Sequence, residues 1–299
     1  MIVQPKPGIL GLFFTLKGSI VRRIAARCLM ITTLASLIVV VESRYPEFFL
    51  RVSTTPFTLL GLSLSIFMSF RNNACYDRWW EGRKTWGLII IEIRSFIRES
   101  VAITDQSLRE DLLRSLCGYA HGLNARLRNE DEVLAVSPWL SSDTLVAKHN
   151  VSDGILQYVG KACSQLATDK MISDWQYMAL GKHLSALTHA QGICERIKTT
   201  PIPFPYSLLL HRTIYLFCIL LPFAMAEPLG WLAPIFTAIV SYTFLGLDSI
   251  SNELEDPFGR EENDLPTDAM VRVIERDVLG ALGCKDLPPL RQPVNCILS

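Results

Sequence analysis

The sequence predicts an all-α protein with four transmembrane helices per chain and a helical cytoplasmic domain, and three observations lead to this fold class. Of the 299 residues, 49% are hydrophobic and only 19% are charged, whereas an average soluble domain carries about 25% charged residues. The charged residues are missing from three long runs and reduced to Arg212, near the start, in a fourth, and these four runs predict the position of the spans. Outside these runs, apolar residues recur at helical spacing, and no segment alternates as a strand does.

The four predicted spans follow these runs in chain order. The first covers residues 28–41 and extends back through Ile24, because Arg27 can reach the membrane interface with its charged end. The second, residues 52–70, has no charge in 19 residues. The third and fourth, residues 206–226 and 228–247, are joined by so short a turn that they predict a helical hairpin.

The distribution of Lys and Arg predicts the orientation in the membrane. Residues 1–27 hold five of them, four more follow the second span within residues 71–84, and the turn at 227–230 holds none. Lys and Arg accumulate on the cytoplasmic side of membrane proteins. Both termini and the segment 71–205 are therefore predicted to be cytoplasmic.

This topology divides the chain into four segments. Residues 1–70 form an amino-terminal segment with the first two spans, and residues 71–205 form a cytoplasmic helical region that is too long for a loop. Residues 206–247 hold the last two spans, and residues 248–299 form a cytoplasmic acidic segment and tail with an extended, proline-containing end. In the cytoplasmic region, apolar spacing predicts helices around residues 88–97, 108–116 and 178–197.

The sequence carries no constellation of catalytic or metal-binding residues. It has no phosphate-binding loop, no dinucleotide-binding glycine motif, no paired-histidine zinc motif and no nucleophile elbow. The eight Cys form no CxxC pair, and 29 basic groups balance 29 acidic ones. We therefore expect no enzymatic activity, no cofactor and no nucleic-acid partner.

The second span carries two faces that a lipid-facing helix does not need. Small residues share one face at four-residue spacing: Gly61, Ser65 and Ser69. Such residues allow close helix packing in a membrane. An apolar stripe lies on an adjacent face: Leu62, Ile66 and Phe70. Around an oligomer axis this stripe forms a hydrophobic constriction that gates by dewetting. The alternative is a stripe that faces lipid or a neighbouring helix, and from spacing alone this is the simpler interpretation.

Three motifs, taken together and in order, resemble the bestrophin family, and most of all its bacterial branch. Lys17-Gly18-Ser19-Ile20 resembles the amino-terminal KGS motif of that family. Residues 71–83, which contain Arg78-Trp79-Trp80, resemble its signature sequence. Asp256-Pro257-Phe258-Gly259, followed by acidic residues, resembles its carboxy-terminal PFG-acidic segment. The resemblance covers nearly the whole chain.

The resemblance implies a homopentameric ion channel in the inner membrane of a bacterium, surrounded by lipid. Five copies of the second span would surround an axial pore whose neck falls on the stripe of Leu62, Ile66 and Phe70. A second, cytoplasmic constriction falls near Leu180. Because the bacterial branch is associated with small monovalent cations such as sodium, we expect cation selectivity. An anion (chloride) channel of the same architecture is the alternative.

The resemblance also raises the question of a calcium site. Eukaryotic bestrophins bind calcium at the acidic segment, for which the candidate ligands here are Glu261, Glu262 and Asp264. Arg260 stands where those relatives begin their acidic run, so we expect a solvated acidic segment and no calcium gating. Trp79 and Trp80 are expected in the junction between the pore helix and the cytoplasmic region, rather than in an interfacial belt.

Two other functional classes compete with a channel. A transporter with alternating access needs broken helices, ionisable residues in mid-membrane and inverted repeats, and the sequence shows none of these. A non-conducting regulatory or scaffold protein of the membrane would use the cytoplasmic helices for docking.

Overall fold

The computed structural model of the protein describes residues 1–3, 8, 18–48, 53–140 and 150–299. Within these ranges the chain is helical and contains no β-strand, only two isolated bridges that Ile297 makes with Ile2 and with Val294. The predicted all-α class is confirmed. The α-helices of the described ranges are α1 Val21–Arg44, α2 Thr55–Glu99, α3 Gln106–Leu127, α4 Glu132–Val136, α5 Val151–Thr168, α6 Asp174–Thr199, α7 Phe204–Leu229, α8 Ala233–Glu255 and α9 Thr267–Ala281.

These helices belong to two compact units, each of which is built from separate parts of the sequence. The unit that we call the apolar unit contains residues 18–48, 53–79 and 201–255. The other, the polar unit, contains residues 1–3, 80–140, 150–200 and 256–299. The predicted boundary between residues 70 and 71 falls inside α2, which runs without a break from Thr55 to Glu99.

The apolar unit is a helical bundle. In it α1 packs against α7 and α8, and these two helices pack against each other. Its core takes Ile24 from α1, Leu64 from α2, Phe217 from α7 and Leu245 from α8. Three residues, beginning with Gly230 at a φ of +50°, separate α7 from α8. Glycine adopts this φ without strain, and the predicted hairpin of the third and fourth runs is confirmed.

Two stretches of the apolar unit are long and apolar enough to cross a membrane. They are Val21–Arg44 and Phe204–Glu255, the second of which contains both α7 and α8. Among the described residues, α2 is not one of these stretches, because its apolar part from Thr55 to Phe70 is followed directly by Arg71 and Asn72. Val52, the first residue of the predicted second span, lies outside the described residues.

The polar unit is organised around α3, which packs against α4, α5, α6 and α9. Tyr119 of α3 is fully buried, and its hydroxyl donates a hydrogen bond of 3.0 Å to the carbonyl of Leu187 on α6. The helices predicted around residues 88–97, 108–116 and 178–197 are confirmed as parts of α2, α3 and α6.

One helix of the polar unit lies outside the region that was predicted to be helical. α9 lies within residues 248–299, for which the sequence predicted only an acidic segment and an extended tail. It buries an apolar face made of Met270, Val271, Ile274 and Val278. Beyond Leu282 the chain contains no further helix among the described residues, as the prolines near the end predict.

Candidate functional site: the exposed face of α2

The first half of α2 has a buried face that anchors it in the apolar unit. Each helical residue turns by about 100°, so Leu64, Met68, Arg71 and Cys75 lie within a sector of about 60°. None of these four side chains is more than 2% exposed. This sector is the side on which α2 packs against its own chain.

The predicted apolar stripe lies directly opposite this buried face. Leu62, Ile66 and Phe70 fall within about 80° of one another, on the far side of the helix. They are 61%, 49% and 61% exposed, respectively. Among the described residues of one chain, nothing covers this apolar face. The two interpretations, a pore neck or a face against lipid or a neighbouring helix, both remain predictions.

The small residues of α2 divide between packing and exposure. A Cβ on Gly61 would lie 3.2 Å from Cζ of Phe217, so Gly61 allows close packing of α7, as predicted. Ser65 and Ser69 are instead exposed, and their hydroxyls donate to the carbonyls of Gly61 at 2.8 Å and Ser65 at 2.9 Å. These two positions flank the stripe and are not packed within the chain.

A buried charge network holds α2 immediately after the stripe. Arg71 donates from Nη1 to Oδ1 of Asp248 and from Nη2 to Oδ1 of Asn252, each at 2.7 Å. The Glu255 carboxylate lies 3.6 Å from Nη2, and Nδ1 of His211 lies 2.9 Å from Oδ2 of Asp248. A buried cation needs such partners. The network ties α2 to α8 and α7, and sequence reasoning did not predict it.

The signature residues occupy the following turns of α2. Arg78 donates from Nε to the backbone carbonyl of Glu255 at 3.1 Å. Trp79 is partly buried and stacks on Tyr76 at a centroid distance of 6.4 Å, whereas Trp80 is 45% exposed. The division between the two units falls between Trp79 and Trp80.

The second and third family-like motifs meet inside the polar unit. Phe258 is fully buried, and a Cβ on Gly82 would lie 3.1 Å from its ring. Only a glycine leaves room for this ring against α2. In the first motif, Ser19 Oγ accepts a hydrogen bond from the backbone N–H of Val21 at 3.3 Å, whereas Lys17 lies outside the described residues.

The placement of Leu180 corrects one prediction. Its side chain is 0% exposed and shares the buried face of α6 with Leu184 and Leu187. A side chain buried within its own unit cannot line a pore, so the predicted cytoplasmic constriction at Leu180 is wrong for this structure. The spacing of these three leucines shows the physical reason, since they form one apolar stripe at helical period.

The candidate cation ligands of the acidic segment do not converge. Asp264 is 3% exposed, and its Oδ2 accepts the backbone N–H of Glu261 at 2.7 Å. Burial raises the pKa of Asp264, and this hydrogen bond opposes the shift. Glu261 and Glu262 are exposed. No group of three or more His, Cys, Asp or Glu side chains that could hold a metal ion occurs in the described part of the chain.

Two arginines of the polar unit pair with the carboxylates of Glu130 and Asp268, near the candidate cation ligands. Arg260 donates from Nε to Glu130 at 2.7 Å and has Nη1 3.5 Å from Oδ2 of Asp268. Arg128 also pairs with Asp268, which accepts from Nδ2 of Asn124 at 2.7 Å. Burial alone would raise the pKa of Asp268. The hydrogen bond and charge of Arg128 outweigh this effect and hold the pKa below its usual value. Glu130 and Asp268 thus have counter-ions from the protein itself.

Known proteins resemble this chain over most of its length. The sequence profile of the family described as "Bacterial/Fungal Bestrophin protein" covers residues 1–280. A "voltage-dependent anion channel-forming protein" of Mesorhizobium japonicum is 40% identical over 99% of this chain and 96% of its own. A protein of the same description from Salmonella typhi is 37% identical over 98% of each chain.

Solved structures agree with the sequence relatives. The crystal structure of a bacterial bestrophin homologue from Klebsiella pneumoniae superposes with a TM-score of 0.85 at 35% identity. The match covers 88% of this chain and 100% of the Klebsiella chain. The fold, the ordered motifs and the full-length relatives lead to one conclusion: the chain belongs to the bacterial and fungal bestrophin family.

Proposed function

We propose that this bestrophin is a homopentameric channel that conducts small monovalent ions through an axial pore lined by α2. The observation that carries the proposal is the apolar stripe of Leu62, Ile66 and Phe70, which is exposed on the side opposite the buried face of the same helix. The protein is a membrane protein of a channel family, which confirms the prediction that it is not an enzyme.

In a symmetric ring of several chains, the exposed stripe of α2 would line a central pore. The core of the apolar unit is filled by side chains from α1, α2, α7 and α8, so a pore needs a symmetric assembly around an axis. With α2 facing this axis, Leu62, Ile66 and Phe70 form three apolar rings, each about 6 Å below the last. A narrow apolar constriction of this kind excludes water and gates ion flow.

The outer surface of the apolar unit supports its place in the lipid. Large apolar side chains are exposed on each of the other three helices: Leu29, Met30 and Leu37 on α1, Leu209 and Leu216 on α7, and Ile235 and Ile239 on α8. Lipid tails cover such side chains without cost. We propose four spans per chain, in the inner membrane of a bacterium with both termini cytoplasmic, and cytoplasmic roles for residues 71–205 and 248–299.

The sign of the conducted ion has two candidates. The resemblance to the bacterial branch makes a cation such as sodium the first candidate, and the apolar neck itself carries no charge. The relatives from Mesorhizobium and Salmonella are named as anion channel-forming proteins, which makes an anion channel the second candidate. The two candidates share the architecture and differ in the charges that the permeating ion meets outside the neck.

Planar-bilayer recording of the purified protein tests the proposal. We expect unitary current steps, and in a salt gradient the reversal potential gives the sign of the conducted ion. Native mass measurement in detergent should give five chains per particle. Slow coupled flux without unitary steps would favour a transporter, silence would favour a non-conducting scaffold, and a stable monomer or dimer would refute the pentamer.

A further inference from the structure

The exposed face of α2 continues beyond the neck with polar residues. Asp77 lies seven residues after Phe70, which returns it to within about 20° of the angular position of Phe70 and places it about 10 Å further along the helix. Asn73 lies between them and falls within about 20° of Ile66. Both side chains are exposed in the chain. A helix face that carries Leu62, Ile66 and Phe70 toward an axis therefore carries Asn73 and Asp77 toward it as well.

The described residues provide no counter-ion for Asp77. Its carboxylate makes no hydrogen bond and no ion pair with any residue that the structure describes. The two nearby cations of α2 are held elsewhere, since Arg71 is buried against Asp248 and Arg78 donates to the carbonyl of Glu255. An exposed and unpaired carboxylate keeps its full negative charge for ions in the surrounding water.

The next charge near this face of α2 is Glu81, which lies four residues, or about 6 Å, beyond Asp77. Its carboxylate is paired with Arg196 at 2.6 Å. The next charged residue within about 20° of the angular position of Asp77 is Lys84. It lies seven residues, or about 10 Å, beyond Asp77. At physiological ionic strength the Debye length is about 8 Å, so salt screens much of the influence of Lys84 at the neck. Asp77 is thus the first charge that an ion meets on the cytoplasmic side of the apolar rings.

We propose that Asp77 sets the charge selectivity of the channel, as a ring of five carboxylates at the cytoplasmic mouth of the neck. This inference rests on the proposed function, because only a symmetric assembly repeats one carboxylate around a pore. Rings of Asp or Glu select cations in channels. A cleft lined by one sign of charge raises the local concentration of counter-ions by about 10- to 1,000-fold. The ring accordingly favours monovalent cations and repels anions at the entrance to an otherwise uncharged neck.

Reversal potentials in a potassium chloride gradient across a planar bilayer test this inference. The wild-type channel should prefer potassium, and Asp77→Asn should lower the potassium-to-chloride permeability ratio by at least about tenfold. Asp77→Lys should make chloride the more permeant ion. Glu110→Gln is the matched control, since it removes one exposed carboxylate from α3, where Glu110 pairs with Arg114. It should leave the ratio unchanged.

A second measurement needs no variant. Raising the ionic strength from about 0.01 M to about 1 M shortens the Debye length from about 30 Å to about 3 Å and should weaken the cation preference of the wild-type channel. An anion-selective wild type overturns the inference, as does a permeability ratio that neither salt nor the Asp77 substitutions change; in both cases the proposed channel stands. A purified pentamer that conducts nothing overturns the proposed function, and the inference with it.

Discussion

Truncating Ile66 and Met68 to alanine should give opposite results, although the two residues are only two positions apart on α2. Met68 is 0% exposed and belongs to the core of the apolar unit. Ile66 is 49% exposed on the opposite face. The pair therefore separates a loss of packing from a change in the proposed neck within one turn of the same helix.

The magnitudes follow from these exposures. Met68→Ala removes a fully buried side chain, so we expect a destabilisation of about 2–5 kcal/mol. In a chain of this size that corresponds to a decrease in melting temperature on the order of 10 °C. A pore-facing Ile66 side chain packs in no core, so Ile66→Ala leaves no cavity. The destabilisation should therefore stay below about 1 kcal/mol. The main effect of Ile66→Ala should be a wider, wetter neck and a larger unitary current.

Two measurements on each variant decide the matter: unitary conductance in planar bilayers and the melting temperature of the assembled protein. Phe70→Ala is a second neck variant, expected to behave as Ile66→Ala does. The reasoning fails when Ile66→Ala lowers the melting temperature as much as Met68→Ala and leaves the conductance unchanged, because Ile66 is then buried against another helix in the assembly.

Three further outcomes follow from other parts of the structure. Because Arg260 pairs with Glu130 and Asp268, removing calcium with a chelator should leave the current unchanged, and loss of current that calcium restores would contradict this. Asp248→Ala leaves the buried Arg71 without its main partner and should cost about 3–5 kcal/mol, to be measured as a lower melting temperature than that of Glu110→Gln. Burial, aided by Arg272, lowers the pKa of His121 to about 4, so the unfolded chain binds more protons between that value and about 6.5. Stability should therefore decrease as the pH falls through this range, by up to about 3 kcal/mol. A melting temperature that does not depend on pH in this window, or a His121→Phe variant with the same dependence, would refute the assignment.

Helical spacing predicted which residues of α2 share a face, because backbone hydrogen bonds fix the helical period. The spacing of Leu62, Ile66 and Phe70 could not show whether that face is exposed. Exposure depends on the helices against which α2 packs, and α7 and α8 lie more than a hundred residues further along the chain. The same limit explains why Ser65 and Ser69 resembled Gly61 in sequence but differ from it in burial.

The length of α2 was underestimated for a related reason. The sequence placed a boundary at Arg71, because a charge ends an apolar run. In the folded chain this charge is paired with Asp248, 177 residues away, and the helix continues to Glu99. Hydropathy is a local property, so it cannot detect a partner that neutralises a charge from a distant segment.

Two other differences have separate causes. The apolar period of α9 was readable in the sequence, but acidic and basic residues between its apolar positions hid it within a segment interpreted as an acidic tail. The position of Leu180 at a constriction was implied only by the resemblance to the family. The period that Leu180 shares with Leu184 and Leu187 would have predicted a buried position.

The unbroken course of α2 limits what the proposed neck can offer to a passing ion. In a continuous helix every backbone carbonyl is committed to the N–H group four residues on, and the side chains of Leu62, Ile66 and Phe70 contain only carbon and hydrogen. The rings of Leu62, Ile66 and Phe70 therefore supply no oxygen that could replace lost water of hydration. Ions of equal charge will be sorted by how readily they shed water, so that large, weakly hydrated ions pass more easily than small, strongly hydrated ones.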